Sequence, residues 1–195
     1  MGTTGAREDL AGPARGEHDW LKDHIRDVPD FPQVGVVFKD LTPLLAHPQA
    51  FASAVRALAG PFEVAGLTKV VGIEARGFIL AAPVAVTLGA GFVPVRKKGK
   101  LPWRTEVASY DLEYGSDTLE IHNDAITTGD RVLVVDDVIA TGGTAAATVE
   151  LVRRLGGEVV GLSFLVELEF LGGRLRLLER DVVDADAITA LVAYG

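Results

Sequence analysis

The chain has 195 residues, 48% hydrophobic and 24% charged, with a formal net charge of −8. That length suits one domain with a sizeable core, and the acidic balance argues against general nucleic-acid binding. The absence of cysteine excludes disulfides, thiolate metal sites and cysteine nucleophiles, and it fits a cytoplasmic protein. No apolar run is long enough to span a bilayer, and no basic start with an apolar core marks a secretion signal, so no membrane partner is expected.

Residues 1–17 are rich in Gly, Thr, Ala and charge without a period, and read as a flexible N-terminal extension. Residues 18–195 read as a single domain. A short helix is expected over 18–27, where Trp20, Leu21 and Ile25 can share a face and Val28 and Pro29 end it. Residues 30–45, DFPQVGVVFKDLTPLL, are broken by prolines and Gly35. They form either an irregular segment tucking side chains into the core or a flat pocket for an aromatic base. Residues 47–60 should be a helix with an apolar face at Phe51, Ala54, Val55 and Leu58.

A buried strand over 67–73 runs into Glu74, Ala75, Arg76 and Gly77, then a helix over 78–88 that Pro83 kinks or pins. Charge at a strand's carboxyl end followed by glycine suits an anion site, and equally a surface salt bridge. A strand over 91–95 leads into Arg96, Lys97, Lys98, Gly99 and Lys100, then Leu101, Pro102, Trp103 and Arg104. Such a basic run is commonly a solvated face; Gly99 and Pro102 make it a flexible loop rather than a helix. Residues 109–122, SYDLEYGSDTLEIH, alternate like a hairpin with its turn at Gly115, Ser116 and Asp117.

Residues 131–148, RVLVVDDVIATGGTAAAT, combine a buried strand, two acids at its expected end, a small-residue loop and a helix. Ala140, Thr141, Gly142, Gly143 and Thr144 let backbone N–H groups close on an anion at the helix N-terminus. Glycines alone would serve a tight turn, and paired acids also act as helix caps. Together they suit a sugar phosphate: oxyanion in the loop, hydroxyls or a metal at Asp136 and Asp137. Neither a dinucleotide fingerprint nor a Gly-Lys-Ser/Thr phosphate loop is present. A helix over 145–155, a strand over 159–166, a loop with a short helix over 167–180, and strands at 182–183 and 188–192 complete the chain.

VLVVDDVIATGGT closely resembles the phosphoribosyl-pyrophosphate motif of the type I phosphoribosyltransferases, GIEARGF resembles their pyrophosphate loop, and SYDLEYG resembles the signature of the adenine-specific branch. The resemblance spans residues 19–194. It implies an α/β fold: a central, mostly parallel sheet flanked by helices, a small hood at about 28–45 and a flexible flap at the basic run. It implies transfer of ribose 5-phosphate from phosphoribosyl pyrophosphate to adenine, giving AMP and pyrophosphate. Phe38 would stack on the base while the backbones of Val37 and Lys39 read its edge. Glu113 would handle the base's proton and Tyr114 would pack the flap. Ala75, Arg76, Gly77, Lys97 and Lys100 would hold pyrophosphate, with a cis peptide between Glu74 and Ala75. Asp136 and Asp137 would take the ribose hydroxyls, and residues 140–144 the 5′-phosphate. Mg2+ would be held mainly by substrate and water, with no protein ligand assigned. A homodimer, with the basic loop near its interface, is also implied. The alternatives are a transferase for another purine, or a non-catalytic regulator sensing a nucleotide or phosphoribosyl pyrophosphate.

Overall fold

The structure, a computed structural model, describes residues 16–111, 116–180 and 182–195. Two short strands, β1 (Arg26–Pro29) and β2 (Val37–Asp40), pair antiparallel and are followed by helices α1 (Thr42–Ala46) and α2 (Pro48–Ala59). Next come β3 (Lys69–Ile73), α3 (Gly77–Leu88), β4 (Gly91–Lys97) and the antiparallel strands β5 (Thr105–Asp111) and β6 (Ser116–His122). The chain closes with β7 (Arg131–Ile139), α4 (Gly143–Arg154), β8 (Glu158–Leu168), α5 (Gly173–Glu179) and β9 (Ile188–Tyr194).

Seven strands form one sheet in the order β5-β6-β4-β3-β7-β8-β9. Strands β4, β3, β7, β8 and β9 run parallel, while β6 is antiparallel to β4. The continuous apolar run of β7 is explained by cover on both faces. Leu133 and Val135 pack with residues of α2 and α3, whereas Val132 and Val134 pack with residues of α4 and α5. No helix among the described residues is long and apolar enough to cross a membrane.

Four expectations need correction. The helix over 18–27 is only a 3-10 turn, Asp19–His24, followed by β1. Leu21 and Ile25 are buried in one core cluster but Trp20 is exposed, so two of the three expected residues share the buried face. Val28, held extended by Pro29, pairs with Phe38 instead. Second, β7 does not end at Asp136: β8 offers partners as far as Ile139↔Glu167. Only the β3 side frees the chain there, because that ladder stops at Gly72↔Val135. Third, Ser116 and Asp117 are strand residues of β6, across from Asp111 and Tyr110, and not part of a turn; Gly115 lies outside the described residues. Fourth, Val182 and Val183 form no strand; Val182 is buried and accepts a hydrogen bond from Arg153 at 2.6 Å through its carbonyl.

Candidate active site

The carboxyl edges of β3 and β7 meet where α3 begins. The Glu74–Ala75 peptide is cis, as the resemblance implied, and Arg76 is the N-cap residue of α3. Gly77 is required by close approach: a Cβ there would sit 2.5 Å from Asp136 Oδ1 and 3.3 Å from the Asp136 Cα. The pyrophosphate-type loop and the paired acids are therefore in contact through a residue without a side chain.

Asp136 and Asp137 sit side by side on β7, and the Asp137 backbone N–H donates to Asp136 Oδ1 at 2.9 Å. Burial pushes the Asp136 carboxyl well above its usual range, and the adjacent Asp137 carboxylate adds to that rise. Asp136 is half-buried; Asp137 is buried, and its Oδ2 lies 2.6 Å from Arg76 Nε. The N–H is not aimed along this contact, so Oδ2 accepts no hydrogen bond and keeps a free lone pair. The Arg76 guanidinium lies 5.1 Å from the centroid of the Phe38 ring, which brings the hood over the same edge. Phe31, joined to Pro32 by a cis peptide, packs its ring against Phe38 at 5.2 Å and 71°.

Residues 140–142 turn from β7 into α4 with Gly142 at φ 80°. No side chain caps α4, which leaves N–H groups of its first turn available to an anion. The back of this loop rests on the start of α5. A Cβ on Gly173 would lie 2.3 Å from the Ala140 carbonyl oxygen, and one on Gly142 would lie 2.8 Å from that of Gly173. Asp136, Ala140, Thr141, Gly142 and Thr144 line a small cavity of about 60 Å³. A cavity of about 850 Å³ opens on the outer side of α4, toward β5 and α5, and shares only Thr141, Gly142 and Gly143 with the cradle.

The basic run is anchored in its first half. Glu74 accepts hydrogen bonds from Arg96 Nε at 3.3 Å, from the Lys97 backbone N–H at 3.0 Å and from the Lys100 ammonium. Glu120, also buried, accepts from the backbone N–H groups of Lys100 and Leu101, both at 2.8 Å. Burial alone would raise the Glu74 carboxyl; its three donors outweigh burial and hold it below the usual range. Lys97 Nζ pairs with Asp117 at 2.9 Å, and this hydrogen bond raises Lys97 while lowering Asp117. Trp103 lies in the exposed second half.

The structure thus gathers Phe38, Arg76, Gly77, Asp136, Asp137 and the 140–144 loop at one sheet edge. It turns the side chains of Lys97 and Lys100 onto carboxylates, and that of Lys39 onto Asp27. Glu113 and Tyr114 lie outside the described residues. Gly173, Glu120 and Tyr194 were missed. A twin glycine at 172–173 was the available signal for the first; the other two have only alternating strand patterns. No group of three or more His, Cys, Asp or Glu among the described residues could cage a metal. The free lone pair on Asp137 nonetheless suits a site where a cation arrives with its own oxygen ligands.

A small-residue loop at a helix N-terminus, paired acids and an arginine loop meet on one parallel sheet edge, and the family described as the phosphoribosyl transferase domain matches residues 42–183. The chain is 65% identical over 154 residues to the adenine phosphoribosyltransferase of Acidothermus cellulolyticus, covering 79% of this chain and 87% of that one. The solved adenine phosphoribosyltransferase of Rhodothermus marinus superposes with a TM-score of 0.83 at 56% identity, covering 90% of this chain and 97% of that one. That of Saccharomyces cerevisiae, complexed with an imino-altritol bisphosphate and adenine, gives 0.81 at 39% identity, covering 90% and 98%. The chain belongs to the phosphoribosyltransferase family, within its adenine phosphoribosyltransferase branch.

Proposed function

We propose that this site transfers ribose 5-phosphate from phosphoribosyl pyrophosphate to N9 of adenine, releasing AMP and pyrophosphate. The observation that carries the reading is the position of Arg76, between the Phe38 ring and the Asp137 carboxylate. It supports a base above, a ribose below and a leaving group at one cation. Phe38 stacks on adenine, and the backbones of Val37 and Lys39 read its edge. The N–H groups of residues 140–144, with the Thr141 and Thr144 hydroxyls, hold the 5′-phosphate. Asp136 and Asp137 hold the ribose hydroxyls, and their charge favours the positive ring of an oxocarbenium-like transition state. Ala75, Arg76 and Gly77 hold the pyrophosphate. Lys97 and Lys100 add charge by exchanging Asp117 and Glu74 for the leaving group. Glu113 manages the base proton, and Tyr114 packs over the site.

Mg2+ would fit here as an ion carried mainly by substrate oxygens and water, beside Asp136 and Asp137. When bound, it neutralises charge on the pyrophosphate. A homodimer is supported by α3, whose Ile79 and Val86 share an exposed apolar face two turns apart. Light scattering at micromolar concentration should report two copies; a monomer refutes the assembly alone.

The test of function is AMP release from adenine, phosphoribosyl pyrophosphate and Mg2+ by the purified chain. Tight binding of these substrates without AMP would favour a non-catalytic sensor.

A further inference from the structure

The hood strands β1 and β2 form their own two-stranded sheet, with no ladder to the seven-stranded one. Hydrogen bonding within the hood therefore cannot set where β2 stands over the main sheet edge. Side chains must do so, and β2 presents two neighbours on opposite faces: Phe38 meets Arg76, and Lys39 meets the end of β9. Lys39 Nζ lies 2.6 Å from Asp27 Oδ1 and 3.9 Å from the centroid of the Tyr194 ring. The side chain is only 12% exposed, an unusual depth for lysine. Lys22 Nζ lies 5.4 Å from the same ring and is itself paired with Asp19 at 2.9 Å. The Tyr194 ring thus takes one ammonium from the turn before β1 and one from β2. Tyr194 is the last residue of β9 and pairs with Leu168 at the carboxyl end of β8.

We infer that Lys39, Asp27 and Tyr194 form a latch that fixes β2 over the sheet edge and so sets the adenine affinity of the site. They are positioning residues: the Lys39 side chain points into the latch, while its backbone is left to the base. The inference rests on the hood reading above. Its physical content is that β2 has two mounts. One, Phe38 on Arg76, belongs to the active site; the other, Lys39 on Tyr194, lies behind it. Loosening the rear mount lets the backbone groups of Val37 and Lys39 drift from the base edge. The phosphate cradle and the paired acids, built on β7 and α4, remain where they are. The expected consequence is selective: adenine binding weakens and phosphoribosyl pyrophosphate binding does not.

The test is steady-state kinetics on the intact chain, with Michaelis constants for both substrates. Tyr194→Leu and Lys39→Met should each raise the adenine KM roughly five- to thirtyfold, the range between an exposed and a desolvated cation–π contact. In Tyr194→Leu, the KM for phosphoribosyl pyrophosphate and kcat at saturating adenine should stay within about twofold. Tyr194→Phe, which keeps the ring face, should match the unaltered chain. The double variant should be no worse than either single one, because both break the same contact. An unchanged adenine KM in Tyr194→Leu and Lys39→Met overturns the latch. So does a parallel rise in both Michaelis constants with lost thermal stability, the signature of general damage. Phe38→Ala separates the two levels: an unchanged adenine KM there would defeat the hood reading itself.

Discussion

Arg76 Nε stands 2.6 Å from Asp137 Oδ2, yet that buried oxygen accepts no hydrogen bond. The pair holds charge in place without saturating it, as suits a site whose partners arrive with the substrate. Arg76→Ala would leave the Asp137 carboxylate without its nearby positive charge and remove the cation facing Phe38. The expected loss in kcat/KM for phosphoribosyl pyrophosphate corresponds to about 2–4 kcal/mol. Arg76→Lys should recover only part of it, because a point charge cannot replace a planar guanidinium over a ring. Initial rates over a substrate series check this.

Asp136 sets stability against function. Its folded pKa is raised, first by burial and then by Asp137. A carboxyl of this kind favours the fold at pH values below its unfolded pKa, and that contribution is lost as pH rises through its folded value. Asp136→Asn should therefore melt higher than the unaltered chain at neutral and alkaline pH, with the difference vanishing in acid. The same change should lower transferase activity. Melting temperatures from about pH 4 to pH 8 read the first effect directly.

Glu74 has the opposite sign. Burial works against its ionised form, but hydrogen bonds from Lys100, the Lys97 backbone and Arg96 prevail and lower its pKa. Its contribution is present above the unfolded pKa and is lost as pH falls through the folded one. Glu74→Gln should cost about 1–2 kcal/mol at neutral pH, a modest figure because Lys100 is half-exposed. Urea unfolding at neutral and acid pH should show that cost shrinking as the solution is acidified.

Gly173 supports the 140–144 loop from behind. In Gly173→Ala the new methyl would meet the Ala140 carbonyl oxygen at 2.3 Å, and backbone on both sides has no flexible end to move. The substitution should destabilise the fold by about 1–3 kcal/mol and raise the KM for phosphoribosyl pyrophosphate. Calorimetry and steady-state kinetics together test it; an unaltered KM would detach Gly173 from the cradle.

Much of this site was legible because its parts are local. The run from Val132 to Val135, the acids and the small-residue loop are contiguous, and so are β3, residues 74–77 and α3. Each reads as apolar strand, charged strand end with a glycine-containing loop, helix. What escaped was set by distant partners. Residues 26–29, RDVP, have no strand pattern of their own and become β1 by pairing with β2. β7 runs past its acids because β8 is long enough to pair with it. The basic run looked free because the buried carboxylates that anchor it, Glu74 and Glu120, come from β3's loop and from β6. Gly173 touches Ala140 only in the folded chain.

The central claim is that one sheet edge joins a hood for adenine to a cradle for ribose 5-phosphate. The most direct measurement is nucleotide formation at saturating phosphoribosyl pyrophosphate and Mg2+, with adenine and hypoxanthine side by side. The account predicts AMP from adenine with a kcat/KM at least about 100-fold above that for hypoxanthine, since an edge-reading backbone leaves polar groups unpaired against the wrong base. Comparable rates with the two bases, or turnover of hypoxanthine alone, would contradict it.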